Sequence, residues 1–158
     1  MSRKPQTPWS NDAWIERTRV LLDSFERFVG RDLIPRGSSL AETARLLYEA
    51  PFVVVAHGVE DDPILNYANE TALTLWDTDL ETLLSMPSRK TAEPMHRDER
   101  AKMLQTTREQ GYIDDYRGVR ISAAGKRFRI ERAIVWNLVD GAGLHAGQAA
   151  TFSEWTPL

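Results

Sequence analysis

The sequence predicts an α+β fold, a five-stranded antiparallel sheet with short helices on one face and further helices at the N-terminus. Three observations carry that prediction. Apolar residues recur at helical spacing up to Tyr48, a β-branched run with a hairpin partner follows, and the last third alternates like a meander of three long strands. The chain lacks the repeated strand–helix–strand order of a doubly wound nucleotide fold, so parallel topology is not expected.

Each element has a local cause. The opening MSRKPQTP is polar, carries two prolines and has no periodicity, so a mobile arm is expected there. From Asn11 to Val29 the residues Trp14, Leu21, Leu22, Phe25, Phe28 and Val29 form an amphipathic stripe that Gly30 can end. Ser39 with Glu42 makes a capping-box pattern for a second helix through Leu46, Leu47 and Tyr48. FVVVAHG, residues 52–58, is the continuous apolar run of a buried strand, EDDP turns the chain, and ILNYAN, residues 64–69, is its partner. Asn69 is a good N-cap for ETALTLW, and Thr78 with Glu81 is expected to box the short helix DLETLLSM. A longer helix runs from about Arg97 to Gln110 and stops at Gly111. YIDDYRGVRIS, KRFRIERAIVWNLVD and LHAGQAATFSEW are the three final strands, separated by glycine turns.

At 158 residues the chain matches one domain, with 42% hydrophobic and 27% charged residues, ordinary values for a folded globular protein. A net charge of -3 gives no general attraction to nucleic acid or anionic lipid, and neither is expected as a partner. The absence of cysteine excludes disulfides, thiolate metal sites and a cysteinyl flavin adduct. No apolar run reaches the roughly 20 residues of a membrane span and the start lacks a signal-peptide core, so a cytoplasmic protein is expected.

The order of elements is that of PAS sensor domains, and ILNYANETALTLW is similar to their second strand, capping asparagine and following helix. FVVVAHG, DPILNYAN, MPSRKTAEP, GYIDDYRGVRIS, GKRFRIE, VWNL and GQAATFSEW together resemble the MEKHLA family, a PAS-related domain, over roughly Ser39 to Leu158. The chain accordingly divides into residues 1–37, an arm and amphipathic helix, and residues 38–158, the PAS-like domain. The resemblance implies a ligand-sensing or interaction module. PAS relatives hold flavin, heme or small acids between sheet and helices, and some heme binders use a histidine on the long helix, near which His96 stands. No cofactor is carried over, because one histidine lacks context and cysteine is absent.

The stretch PSRKTAEPMHRDER, from Pro87, concentrates the polar chemistry. Its prolines restrict the backbone, Ser88 or Thr91 can cap a turn, and Asp98 and Glu99 suit the first turn of the long helix. Arg89 and Lys90 are left over at the expected cavity border, so Arg89, Lys90, Arg132 or His96 is a candidate to hold an anionic group; surface ion pairs to Glu93 and Asp98 are the plain alternative. Strict alternation along KRFRIERAIVWNL places Arg132 on an apolar face, which requires an internal partner, a β-bulge near Glu131 that turns it outward, or a ligand. Tyr67, Trp76, Tyr112, Tyr116 and Trp136 are expected mostly as core aromatics, of which two or three can line a pocket. Glu93-x-x-His96 is a single copy of a metal-ligand spacing that requires more, and His57 and His145 lie far apart in sequence; no metal is expected.

The expected function is a non-enzymatic sensory or regulatory module that binds a small organic ligand, an anion among the candidates, and acts through association. The broad apolar face of the N-terminal helix makes a homodimer through that helix the expected state. A small enzyme using the same pocket, with His96 or Glu93 as general base and Arg132 as oxyanion or carboxylate partner, is the alternative of another class. A purely structural interaction domain with a filled interior is the third. Lacking a kinase, cyclase or DNA-reading segment, the chain is expected to deliver its output through another protein.

Overall fold

In a computed structural model of the protein, residues 7–158 are described. Most of the polar opening expected as an arm lies outside them, and Pro8–Ser10 forms a single 3-10 turn. Helix α1, Asp12–Val29, begins where the Asn11 side chain accepts from the amides of Ala13 and Trp14, and ends at Gly30 with φ 89. Helix α2, Leu40–Tyr48, is capped by the Ser39 hydroxyl on the Glu42 amide, as the pattern predicts. Strands β1, Val53–His57, and β2, Leu65–Ala68, form the hairpin, followed by helices α3, Glu70–Leu75, and α4, Leu80–Leu83. The cap of α4 differs from expectation: Asp79, not Thr78, accepts from the Thr82 amide, because a carboxylate one residue later reaches the exposed N–H groups directly. Helix α5 spans Arg97–Gln110, with Asp98 and Glu99 in its first turn and Gly111 after its end.

Strands β3, Tyr112–Ile121, β4, Arg127–Val139, β5, His145–Phe152, and β6, Glu154–Pro157, complete an antiparallel sheet of order β2-β1-β5-β4-β3. The expected fifth strand is therefore present but interrupted at Ser153, and its continuation β6 stays paired with β4. Two irregularities bend this region. On β3 an extra residue lies between the pairs Ile113↔Val135 and Tyr116↔Ala133, where Asp115 has φ 56; on β4 an extra residue precedes Ala133, where Arg132 has φ 49. The Arg132 bulge is one of the expected resolutions of its misplaced charge. Its side chain is 77% exposed, with Glu154 at 3.9 Å.

The sheet has a filled layer on each face. Across it runs one row of partners, Tyr67, Ala56, Ala149 and Trp136, in which two alanines lie between two aromatics. Helix α1 covers this outer face: Trp14 stacks on Tyr67 with centroids 4.5 Å apart, Phe25 meets Trp136 edge-on at 4.9 Å, and the Trp136 indole donates to the Leu21 carbonyl at 3.2 Å. Ser24 seals the far end by accepting from the Val139 amide at 2.9 Å. The apolar stripe of α1 is thus buried against its own sheet, and the helix shares the core of the residues that follow it. One position along each strand, the row Val55, Ala150, Val135 faces the other way, toward α3, α4 and α5.

Candidate functional site

The cavity on that second face is built from the sheet upward. Val55, Ala150, Val135, Ile130 and Phe152 form its floor, and Leu65, Trp76, Leu83, Met103 and Leu104 its walls and roof; the volume is about 60 Å³. Helix α5 reaches it because Arg100, Met103, Leu104 and Thr107 recur at i, i+3, i+4 and i+7 and so share a face. A buried amide chain holds that helix in place. The Gln148 amide nitrogen donates to the Leu104 carbonyl at 2.9 Å and to Asn137 Oδ1 at 3.1 Å, and the Asn137 amide nitrogen donates to the Arg108 carbonyl at 3.2 Å.

Polar groups interrupt the apolar lining at two places. His57 ends β1, 8% exposed, with Nδ1 3.0 Å from the Gly58 carbonyl. A carbonyl only accepts, so Nδ1 carries the proton and Nε2 is bare, buried and without a partner. Burial pushes the imidazole below its ordinary pKa; the Gly58 contact opposes this and the Arg100 charge adds to it. Gly147 lets β5 pass beside this corner: its φ is 131, and a Cβ there would collide with the His57 carbonyl oxygen. Trp76, 4% exposed, packs edge-on against Phe128 and Phe152, leaving its indole N–H buried and unpartnered.

The second polar place is a pair of guanidiniums. Arg120, 5% exposed, donates to the Val119 carbonyl at 2.8 Å and to the Tyr116 hydroxyl at 3.1 Å, and that hydroxyl donates to Glu99 at 2.9 Å. Arg100 donates to the Ser88 hydroxyl at 2.9 Å. Burial first and the Arg120 charge second push the Arg100 pKa down to about 10, against a smaller opposite effect of Tyr116. Gly118 makes room for the arrangement, since a side chain there would run into the Tyr116 hydroxyl and stand 2.9 Å from an Arg120 nitrogen.

Of the residues singled out in the sequence, Trp76 and Tyr116 line the cavity. Tyr67 and Trp136 lie on the opposite face under α1, and Tyr112 pairs with Trp136 at the far edge of the sheet. Arg89 is exposed and held by Asp62 at 3.1 Å, Lys90 is exposed beside it, and His96 precedes α5; none of the three lines the cavity. Arg132 points to solvent from its bulge, on which an anionic ligand in the cavity cannot rely. Glu93 is engaged by Arg127, at 2.6 Å, rather than by His96 or Arg89. His57, Arg100, Arg120 and Gln148 are the polar lining that sequence reasoning missed. Alternation on β3 carries a trace of it, because Tyr116, Gly118 and Arg120 share one face of a strand whose other face is charged as well.

An antiparallel sheet closed on one face by short helices around a small cavity defines a PAS-like domain. Solved structures agree: a PAS domain from Colwellia psychrerythraea superposes with a TM-score of 0.62 at 15% identity, covering 71% of this chain and 92% of that one. The dark structure of the blue-light photoreceptor Aureochrome1 LOV does so with a TM-score of 0.55 at 20% identity, covering 78% and 88%. Within that class the chain belongs to the MEKHLA domain family, whose model matches residues 15–157. It is also 26% identical over 142 residues to the homeobox-leucine zipper protein HOX29 of Oryza sativa subsp. indica, covering 87% of this chain but 16% of that protein. HOX9 of the same plant matches at 22% identity over 122 residues, with 14% of its length covered.

A flavin does not fit here. The interior volume of about 60 Å³ is far below the roughly 300–1,000 Å³ of pockets for ligands of that size, and no cysteine stands by to form an adduct. Among the described residues no cluster of histidine and carboxylates could hold a metal ion, and no helix is long and apolar enough to cross a membrane.

Proposed function

We propose that the chain is a sensory or regulatory module of the cytoplasm that holds a small organic ligand between its sheet and helices α3–α5 without transforming it. One observation carries this reading: the interior keeps a cavity whose lining leaves the His57 Nε2 acceptor and the Trp76 Nε1 donor buried and unmet. Buried polar groups are nearly always satisfied, so a guest or ordered water is the natural partner of both. Binding without turnover is favoured over catalysis by the lining itself. It offers no carboxylate, and its imidazole is held neutral beside a cationic pair.

Output through association belongs to the same proposal. Because the apolar stripe of α1 is already covered, a homodimer through that helix would use its charged, solvent-facing side, and sedimentation velocity at increasing protein concentration measures it. The ligand is tested by native mass spectrometry of purified protein followed by a thermal-shift screen of small metabolites, with the hits assayed for turnover. A saturable, unconverted ligand that moves the Trp76 indole resonance supports the reading. Conversion of the compound, or a cavity that admits nothing, overturns it.

A further inference from the structure

Two cations face one small apolar cavity with no carboxylate to meet them. Several exposed arginines have acidic partners: Arg89 has Asp62, Arg117 has Glu131, and Arg127 has Glu93. Arg100 and Arg120 have none among the described residues, although they are the arginines most withdrawn from water around the cavity. A guanidinium has five N–H donors, and Arg100 and Arg120 make three hydrogen bonds between them, to a hydroxyl, a backbone carbonyl and a phenol. Arg120 is 5% exposed and Arg100 half-buried; holding two like charges at one apolar cavity is costly, and a neutral water does not relieve it. Gly118 adds an independent sign of construction: the strand gives up a side chain at the one place where Tyr116 and Arg120 fold over it.

Resting on the binding reading above, we propose that the ligand is a short-chain aliphatic carboxylate, its carboxyl group held by Arg100 and Arg120 and its chain in the apolar floor beside Val55, Val135 and Met103. A planar carboxylate matches the planar fork of a guanidinium, and one negative charge offsets part of the pair's repulsion. A phosphate has the charge but no apolar body for the remaining lining. Size sets the chain length. A cavity of about 150 Å³ is what accepts benzene, and the space here is about 60 Å³, so a ring does not fit inside it. Only the short alkyl chain of the acid lies in the cavity, while its carboxylate stands at the edge beside the half-buried Arg100.

The test uses the full chain, with butyrate, butyramide and inorganic phosphate titrated at constant ionic strength while the Trp76 indole resonance is followed. Butyrate is expected to saturate at one per chain and to bind at least tenfold more tightly than butyramide or phosphate. In Arg100→Met, butyrate affinity is expected to fall at least tenfold while the melting temperature of the ligand-free protein stays level or rises, because a buried charge without a carboxylate partner has been removed. A merely structural arginine would instead lower the melting temperature on replacement. Butyramide or phosphate binding as tightly as butyrate overturns the carboxylate assignment while leaving the binding reading intact, as does an Arg100→Met protein that melts lower yet keeps butyrate. Should that variant fail to fold, the three probes on the native chain still decide. If no probe shifts the resonance the inference fails, and only the wider screen coming up empty removes the reading beneath it.

Discussion

Replacing Asn69 by alanine is expected to be among the most damaging single changes outside the apolar core. The side chain is fully buried and makes four hydrogen bonds: Oδ1 accepts from the amides of Val54 at 3.0 Å and Ala72 at 3.2 Å, and Nδ2 donates to the carbonyls of Phe52 at 2.7 Å and Leu47 at 3.2 Å. Alanine removes all four bonds; the Leu47 carbonyl keeps the Ala50 amide at 3.3 Å, while the Val54 and Ala72 amides and the Phe52 carbonyl lose this partner. Each buried group left unpaired costs about 1–3 kcal/mol, and loss of an N-cap about 1 kcal/mol. Since some of the four regain water through relaxation, a total of about 3–5 kcal/mol is expected, a large share of the roughly 5–15 kcal/mol that stabilises a typical domain. For a chain of this length that is about 9–15 °C in melting temperature. Urea unfolding followed by tryptophan fluorescence measures it directly. Asn69→Asp separates the contributions: it preserves both acceptor contacts but sets a carboxylate oxygen against two carbonyls, so it should be no better than alanine at neutral pH. A loss below about 1 kcal/mol in Asn69→Ala would refute the assignment of Asn69 as the joint of these elements.

Three other outcomes are expected. His57 is held below its ordinary pKa by burial, so the unfolded chain takes up a proton that the folded chain resists; stability is full above the unfolded value of 6.5 and declines as pH falls from there toward the folded value. The urea midpoint should drop over that window, and His57→Gln should flatten most of the drop, leaving the contribution of His145, which is shifted in the same direction. Gly147→Ala should cost roughly 2–4 kcal/mol in the same titration, because it combines a left-handed backbone with a collision against β1, and a neutral result would contradict the register. Deleting residues 1–30 exposes the sheet face beneath Trp14, Leu21, Leu22 and Phe25, whose burial is worth about 6–12 kcal/mol at 1.5–3 kcal/mol each. The expected product is an unfolded or aggregated chain by circular dichroism and light scattering, and a well-folded truncated monomer would disprove the shared core.

Much of the architecture was legible because it is written in local chemistry. Helical periodicity fixed α1, side-chain caps at Ser39 and Asn69 fixed two helix starts, and Gly30 and Gly111 fixed two ends. The irregular charge at Arg132 left a bulge as one of three resolutions, an internal partner and a ligand being the others, and the bulge is the one the strand adopts. The site was far less legible. Which face of a strand meets α1 and which meets α5 depends on packing between distant segments, so Tyr67 and Trp136, good pocket candidates by type, went to the outer layer. Arg89 and Lys90 drew attention by crowding in sequence, but one satisfies itself with Asp62 across 27 positions and both stay in water. Arg100 and Arg120 were ordinary letters in a charged helix and a charged strand. Only their approach to each other across the interior sets them apart.

The sheet is a single layer between two differently furnished compartments, and β4 touches both through consecutive residues: Val135 on the hollow side, Trp136 bolted to the backbone of α1. One peptide step, about 3.3 Å along the strand, thus separates a guest's surroundings from the helix at the head of the chain. Under the binding proposed above, a guest that filled the hollow would bear on the strand whose other surface carries that helix.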